Sequence, residues 1–308
     1  MRKKIKKTMI GGQALIEGLM MKGPEKTCAA IRKPDGEIHT EVTKTAHNPV
    51  RKIPFLRGPV AMILSLKEGY GAINKSAEIA LTEEQQEEQK GKFDKWFDKT
   101  FGDKGGAVIS VVAMILGVAL AIFLFMMAPA FLVNLISSFY ELGAFKTLVE
   151  GIIKIIIFIA YLFLITRMKD IHRVFEYHGA EHKTITCYEY GDELTVENVK
   201  KHSRFHPRCG TSFIFIVLII SIIIFSFITW GNLFVRVGLK ILTLPVVMGI
   251  SYEIIMFAGK YDNIFCRVVS APGMWIQRLT TFEPDDEEIE VAITAFNAVA
   301  PQDDTDAV

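Results

Sequence analysis

The sequence lacks the features that mark several common protein classes. Its formal net charge is only +1, so no basic excess points to nucleic acid, and we expect no such partner. No Gly-Lys-Ser or Gly-Lys-Thr follows the glycine-rich residues 11–18, which excludes a P-loop. We expect a tight turn there, packed on the rest of the fold, ahead of the alternative of an active-site loop. The charged residues 1–7 are not followed by a sustained apolar run, so we predict no cleaved signal peptide.

Long apolar runs are what the chain has instead. Hydrophobic residues make up 50% of the sequence, and they are concentrated in runs. A membrane-spanning helix needs about 20 such residues, and we predict four spans, at residues 107–128, 148–166, 213–230 and 238–258. The first run continues past Pro129, where we expect a tilt or kink because proline removes a helical hydrogen bond.

The distribution of lysine and arginine predicts the orientation of these spans. Of 35 such residues, 20 precede the first span, 8 lie between the second and third spans, and 3 follow the fourth. Because cytoplasmic segments keep an excess of positive charge, both termini and the loop 167–212 should face the cytoplasm. The 4 cysteines then lie on the reducing side, as thiols or metal ligands and not as disulfides.

The fold class that follows is a mainly α-helical, multi-pass protein of the bacterial cytoplasmic membrane with about four transmembrane helices. A small cytoplasmic α+β part, residues 1–106, precedes the first pair of spans, residues 107–166. The cytoplasmic loop 167–212 leads to the second pair, residues 213–258, and a helical cytoplasmic tail, residues 259–308, ends the chain.

The N-terminal part should contain a β-hairpin, an amphipathic helix and a linker. The turn sequence at 33–36 separates two strand-like runs, 27–31 and 37–43, which predicts the hairpin. Residues 58–81 have a helical pattern too polar to span a membrane, and the charged residues 82–102 indicate a solvated helix or linker.

Two helices are predicted in the tail. Residues 272–279, which include Trp275, are typical of an interfacial helix. The carboxylates at 285–288 favour a helix start, because they suit the N-terminal end of the helix dipole. An apolar stripe follows at Ile289, Ala292, Ile293 and Phe296, and it should dock on the cytoplasmic part.

The loop 167–212 carries the strongest chemical signal. On a helix, His178 and His182 lie four residues apart on one face, so both imidazoles can bind one ion, with Glu181 beside them. His-x-x-Glu-His is the inverted form of a zinc-protease signature in which the glutamate is the general base. Zinc is needed there because it lowers the pKa of water from about 15.7 to about 7. We expect residues 171–183 to continue helically from the second span. Gly179 counts against a long rigid helix, so the alternative is that the motif lies at a helix end or a break.

Further metal donors lie just before the third span. His206 and Cys209 are three residues apart in a turn. With His178 and His182 they would complete a closed tetrahedral site for structural zinc, whereas three ligands and a water would leave the site open for chemistry. The sequence leaves both arrangements open. His202 is the weakest member and is expected to be exposed. The alternative to metal binding is an interfacial histidine cluster that hydrogen-bonds lipid phosphate or backbone.

Glu253 is a further candidate metal ligand. It lies in the fourth predicted span, where an ionisable group is costly and is usually functional or paired. It should lie near the cytoplasmic end of its span, at the depth of the loop 167–212, and inverted zinc proteases take a downstream glutamate as a third ligand. A carboxylate hydrogen-bonded within the bundle is an equal alternative. Lys154 should lie at the other membrane face and is not an expected partner.

Four motifs extend this interpretation. Gly-Gly-Gln-Ala-Leu-Ile-Glu-Gly-Leu-Met-Met-Lys-Gly-Pro at 11–24, Tyr-His-Gly-Ala-Glu-His-Lys at 177–183, His-Pro-Arg-Cys-Gly-Thr-Ser-Phe at 206–213 and Gln-Arg-Leu-Thr-Thr at 277–281 resemble the YqhQ-like bacterial membrane proteins. That family is catalogued as domain of unknown function 1385 and described as a predicted metal-dependent enzyme. The resemblance covers nearly the whole chain, and it implies that His178, Glu181, His182, His206 and Cys209 belong to the family's motifs. It implies no substrate.

Three functions are therefore in competition. The first is a membrane metalloenzyme, a peptidase-like hydrolase of an unknown protein or peptide substrate, with zinc bound by His178 and His182, Glu181 as base, and His206, Cys209 or Glu253 completing the shell. The second is a non-catalytic scaffold or assembly factor whose metal only staples the loop to the bundle. The third is a transporter, which four helices would support only as a homo-oligomer. The lipid bilayer is a partner in all three.

Overall fold

The computed structural model describes residues 7–46, 49–82, 105–228, 232–261 and 263–301. The linker predicted at 82–102 lies outside these residues, apart from its first position. The chain divides into two compact units. The first unit comprises residues 1–80, 162–217 and 245–308, and the second comprises residues 81–161 and 218–244.

An antiparallel sheet forms the N-terminal part of the first unit. Its strands follow chain order: β1 (Gly11–Leu15), β2 (Gly18–Lys22), β3 (Lys26–Arg32) and β4 (Ile38–Lys44). The predicted hairpin is confirmed as β3 and β4. The turn between these strands places Gly36 at a φ of 89°, a left-handed conformation that glycine adopts at no steric cost.

The glycine-rich segment forms a second hairpin, β1 and β2, so the expectation of a turn alone was wrong. Leu15 pairs with Gly18 across a turn in which Glu17 has a φ of 48°. Glycine is depleted in strands, and the segment has no clear polar–apolar alternation, so neither usual strand signal was present. The local sequence does not favour a strand here, but the hydrogen bonds between β2 and β3 stabilise the hairpin.

The remaining regular elements are mainly helices. In chain order they are α1 (Arg57–Ala80), α2 (Gly105–Ile122), α3 (Ala128–Ser137), α4 (Lys146–Ile165), α5 (Lys169–Glu189), α6 (Val196–Lys200), α7 (Gly210–Phe225), α8 (Leu233–Lys260), α9 (Ile264–Thr280) and α10 (Asp286–Val299).

The core of the first unit lies between the sheet, α5 and α10. The predicted start of α10 is confirmed. Asp285 caps the helix, and its side chain and that of Glu288 form a reciprocal capping box. The predicted apolar stripe is also confirmed, because Ile289, Ala292 and Phe296 are fully buried in this core.

Three described helical stretches are long and apolar enough to cross a membrane: Val111–Ser137, Lys146–Ile165 and Phe234–Ala258. The chain is thus mainly helical with candidate membrane spans, as predicted, but the count differs from the expected four. The third predicted span corresponds to α7, which has 16 residues. At 1.5 Å per residue it extends about 24 Å, less than the roughly 30 Å of a hydrocarbon core.

The first candidate span is interrupted in the way that its proline requires. A π-helical turn, Phe123–Met127, joins α2 to α3, and Pro129 lies in the first turn of α3. Because proline has no backbone N–H, the helix loses one bond there, and the wider turn accommodates the break.

Helix α5 confirms the helix expected around the histidine motif, and it runs unbroken through Gly179. It differs from the expectation in that it does not continue from α4: the helix is interrupted at residues 166–168, where Met168 is extended with ψ at 128°. A side chain at Gly179 would collide with the carbonyl oxygen of Phe282, whose own N–H donates to Phe175 O at 2.9 Å. Glycine therefore allows the segment after α9 to cross α5 in direct backbone contact.

Candidate metal centre

Helix α5 presents His178 and His182 on one face, as their spacing predicted. The two rings lie 4.4 Å apart between centroids. The helix is amphipathic, and its C-terminal half, which contains both residues, packs in the core of the first unit. The two imidazoles are thus held by a rigid element.

Cys209 joins these histidines from the turn before α7. Its Sγ lies 3.2 Å from His178 Nε2, and the ligand atoms of His178, His182 and Cys209 all lie within 4.8 Å of one another. Two imidazoles and a thiolate are a donor set that suits zinc. The sequence places Cys209 near His206, in the same turn. In the structure Cys209 Sγ lies within hydrogen-bond distance of an imidazole nitrogen of His178 in α5.

Backbone carbonyls orient both imidazoles. The Nδ1 of His178 lies 2.8 Å from Thr280 O, and the Nδ1 of His182 lies 2.6 Å from Arg204 O. A carbonyl oxygen can only accept, so each Nδ1 carries the hydrogen, and in the neutral imidazole each Nε2 then keeps its lone pair. Metal-binding histidines are held in this way by groups behind them, which fix the tautomer and the ring direction.

Glu181 lies beside this cluster with an incompletely satisfied carboxylate. Its Oε1 accepts a hydrogen bond from Gly12 N in β1 at 2.8 Å. Its Oε2 is buried and has no hydrogen-bond partner among the described residues. Burial raises the pKa of this carboxyl above its ordinary value, against the opposing effect of His178 and His182. A buried carboxylate with an open oxygen is suited to accept a proton.

The charges of the cluster are coupled. Burial raises the pKa of the Cys209 thiol, but His182 and His178 outweigh burial and hold this pKa well below its usual range. Burial disfavours the charged form of His178 and so lowers its pKa. The neighbouring Cys209 thiolate has the opposite effect and outweighs burial, so the pKa of His178 is raised to about 9. The thiolate is the form that binds a metal, so the surroundings favour a ligand-competent Cys209.

The structure brings His206 close to the cluster but gives it other partners. Its ring centroid is 5.7 Å from that of His182, and its Nε2 lies 3.3 Å from Glu189 Oε2. Its backbone N–H and C=O exchange two 2.8 Å bonds with the side chain of Gln277. Arg208 pairs with the same Glu189. His206 thus lies in a buried polar network that borders the three-residue cluster.

Glu253 lies against residues at the start of α1. Arg57 donates from Nε to Oε1 at 2.8 Å and from Nη2 to Oε2 at 2.5 Å, and Phe55 N donates to Oε1 at 3.0 Å. Among the described residues, the metal-competent group contains His178, His182 and Cys209 and does not include Glu253. This arrangement is of the kind described by the alternative, in which Glu253 is a hydrogen-bonded carboxylate and not a metal ligand.

His202 is not exposed, contrary to expectation. Its side chain is 13% exposed, and its Nε2 lies 3.1 Å from Asp192 Oδ2.

Three positions that border the cluster were not singled out from the sequence as parts of it. Gly12 in β1 donates a hydrogen bond to Glu181, and Glu189 lies within hydrogen-bond distance of the His206 ring. Gln277 forms hydrogen bonds with the His206 backbone. Gly12 and Gln277 lie in two of the motifs noted above, so the motifs were a signal, although the motifs alone gave no role.

A cleft of about 710 Å³ lies beside β1 within the first unit. It is lined by residues of β1, β2 and α1 and by neighbouring loops, among them Gly12, Gln13, Met20, Ser65 and Glu68. Gly12 therefore lines this cleft and also donates to Glu181.

Comparisons with known proteins give a family but no activity. A family model described as "Protein of unknown function (DUF1385)" matches residues 53–302. The uncharacterized protein YqhQ of Bacillus subtilis (strain 168) is 37% identical over 292 residues, which cover 93% of this chain and 91% of that protein. No solved structure matches the chain. Neither description mentions a metal, a substrate or a reaction.

Proposed function

The chain belongs to the family described as protein of unknown function (DUF1385), and within that family we propose that it is a metal-dependent hydrolase of the cytoplasmic membrane. The observation that carries this proposal is the convergence of His178 Nε2, His182 Nε2 and Cys209 Sγ beside the half-satisfied carboxylate of Glu181. The catalysed reaction would be hydrolysis of a protein or peptide.

The number of donors favours an open site. Catalytic zinc usually has three protein ligands, whereas structural zinc has four. His206 would be the fourth, but its Nε2 faces Glu189. His178, His182 and Cys209 would hold the ion, and a bound zinc ion would supply Lewis-acid activation of water.

Glu181 would accept the proton that water loses. Its Oε2 is the oxygen left without a partner, while the 2.8 Å bond from Gly12 N fixes Oε1. Burial supports this role, because it raises the pKa of the Glu181 carboxyl and so makes the carboxylate a stronger base.

The cleft beside β1 would bind the substrate. Strand β1 forms part of the lining of the cleft, and an extended peptide would lie along this strand. Because Gly12 lines the cleft and touches Glu181, a peptide along β1 would lie next to the proposed base.

The charge distribution supports a cytoplasmic location of this site. The segments proposed to face the cytoplasm contain 31 of the 35 lysines and arginines, since only Lys146, Lys154, Arg236 and Lys240 lie elsewhere. Both termini would then also be cytoplasmic, with α7 crossing the membrane as a fourth, shorter span besides the three long candidate spans.

Replacing Glu181 by glutamine tests the proposal. The full-length protein would be purified in detergent, loaded with zinc and incubated with a fluorogenic peptide mixture. Glu181→Gln should keep its zinc and lose at least about 100-fold in cleavage rate, the usual scale of a lost general base. Glu176→Gln, on the same helix, is the matched control and should cleave like the wild type. Full activity of Glu181→Gln would refute the assignment.

A structural metal site is the second candidate, and the burial of its ligands favours it. His182 is 2% exposed and Cys209 is 6% exposed, which suits an ion that staples α5 to the start of α7. In that case Cys209→Ala should lose metal and thermal stability together, and no peptide should be cleaved by the wild type. His206→Asn separates the two site types: it should keep the ion if three ligands suffice and lose it if the site is closed.

A further inference from the structure

The second unit contains a group of charged side chains that the hydrolase proposal does not use. Glu150 and Lys154 lie in α4, and Arg236 and Lys240 lie in α8, all within candidate membrane spans. Glu150, Lys154 and Lys240 are each at most 5% exposed. Such groups are rare within a membrane and are usually paired or functional.

One carboxylate serves two of the three cations. Lys240 Nζ pairs with Glu150 Oε1, and Arg236 Nη2 donates to Glu150 Oε2 at 3.1 Å. Both oxygens of Glu150 are thus engaged. The four side chains carry a net charge of +2 when all are ionised.

Two donors of this group have no acceptor in the described part of the chain. Lys154 makes no hydrogen bond or ion pair there, and its Nζ lies 4.9 Å from the ring centre of Phe225. Lys240 Nζ lies 5.7 Å from the same centre, so the two ammonium groups share one ring. The Nε of Arg236 is also buried, and it too has no partner among the described residues. A ring face attracts a cation but does not replace an acceptor oxygen.

The group lies towards one end of the two candidate spans. Lys154 is eight residues from the start of α4, about 12 Å along the helix. Arg236 and Lys240 lie in the first turns of α8. Long basic side chains near span ends reach the interface, where phosphate groups lie.

We propose that Lys154, Arg236 and Lys240 form a binding site for a phosphate-bearing anion. A phosphate offers several acceptor oxygens, enough for the Lys154 ammonium and the Arg236 guanidinium together. Glu150 holds Arg236 and Lys240 in position and leaves a surplus of positive charge for the ligand. The phosphate is supplied by an anionic lipid headgroup or by free phosphate.

Thermal denaturation of the full-length protein in detergent tests this site. The added probes are dioctanoyl-phosphatidylglycerol, the zwitterionic dioctanoyl-phosphatidylcholine, and inorganic phosphate. The variants are Lys154→Met, which removes the unpaired charge, Lys154→Arg, which keeps it, and Lys67→Met in α1, where the lysine is exposed, as the control.

Phosphatidylglycerol should raise the midpoint of the wild type, Lys154→Arg and Lys67→Met more than phosphatidylcholine does. Lys154→Met should bind it about tenfold more weakly, which is the effect of about 1.4 kcal/mol. A response to inorganic phosphate alone would assign the site to free phosphate. Equal responses of the wild type and Lys154→Met to every probe would overturn the proposal. If Lys154→Met does not fold, Arg236→Gln replaces it with the same expected loss.

Discussion

At the scale of single residues, Gly12 decides where the Glu181 carboxylate can lie. A Cβ at Gly12 would come within 2.8 Å of Glu181 Cδ, so an alanine there must displace the carboxylate. We predict that Gly12→Ala keeps its metal but cleaves peptide about 100-fold more slowly, since a displacement of about 1 Å has that scale of effect. Gly71→Ala in α1 is the control, because its Cβ would meet nothing within 4 Å and the residue does not line the cleft. Equal rates for the two variants would mean that Glu181 needs no fixed position.

The residues of the cluster were predictable only in part. Helical spacing alone identifies His178, Glu181 and His182, because three- and four-residue separations share a face. The carbonyl of Thr280 and the N–H of Gly12 could not be predicted, since these backbone groups come from segments 102 and 169 residues away and are brought close by tertiary packing. The same holds for Glu253, whose partner Arg57 is 196 residues distant.

At the scale of secondary-structure elements, Gly179 tests the crossing of α5 by the segment after α9. Alanine favours a helix by up to about 1 kcal/mol over glycine, but at Gly179 it would collide with the backbone of Phe282. We predict that Gly179→Ala destabilises the protein by about 1–3 kcal/mol, the usual cost of overpacking. Gly71→Ala, at an open position of α1, should be neutral or stabilising in the same thermal denaturation. A stabilised Gly179→Ala would show that the crossing is loose.

The capping box of α10 should make stability depend on pH. Burial raises the pKa of Glu288 to about 8, although Arg173 lies 3.3 Å away. Between the unfolded pKa of about 4.3 and this value, the folded protein holds a proton that the unfolded chain has lost. The stability contributed by Glu288 is therefore present below about pH 4.3 and is lost as pH rises towards 8.

A glutamine at position 288 can still accept the hydrogen bond from the Asp285 backbone N–H, but its side chain does not titrate. Glu288→Gln should therefore be more stable than the wild type at pH 8 by at least about 1.4 kcal/mol, the free energy of one pKa unit. The difference should shrink as pH falls towards 4. Denaturant titrations at several pH values provide the measurement, and parallel pH dependences of both proteins would contradict the assignment.

Elements with a strong local signal were predicted, and those set by tertiary contacts were not. The hairpin of β3 and β4 has a clear turn sequence, and α10 has both a cap and an apolar stripe. The pairing of β1 and β2 depends on β3 and on the helices packed against the sheet, which no local pattern encodes. The break before α5 likewise has no proline or glycine to mark it.

At the scale of the whole molecule, the location of the metal cluster depends on how the chain is oriented in the membrane. Three described stretches are apolar and long enough to span, and with α7 as a fourth crossing both termini would lie on the side rich in lysine and arginine. We predict that green fluorescent protein fused after residue 301 fluoresces, and that alkaline phosphatase inserted at residue 142 is active. Active phosphatase after residue 301 would place the C-terminus outside the cytoplasm and contradict this topology.

The metal content of the purified full-length protein tests the central claim most directly. Elemental analysis should find about one zinc ion per chain in the wild type, and far less in Cys209→Ala and His178→Ala, because each variant removes one of only three proposed protein ligands. Cys187→Ala removes a different buried thiol, which lies in α5 and is not a proposed ligand, so this variant should keep the full zinc content. The absence of transition metal from the wild type after mild purification, or equal metal in Cys209→Ala and Cys187→Ala, would contradict the account.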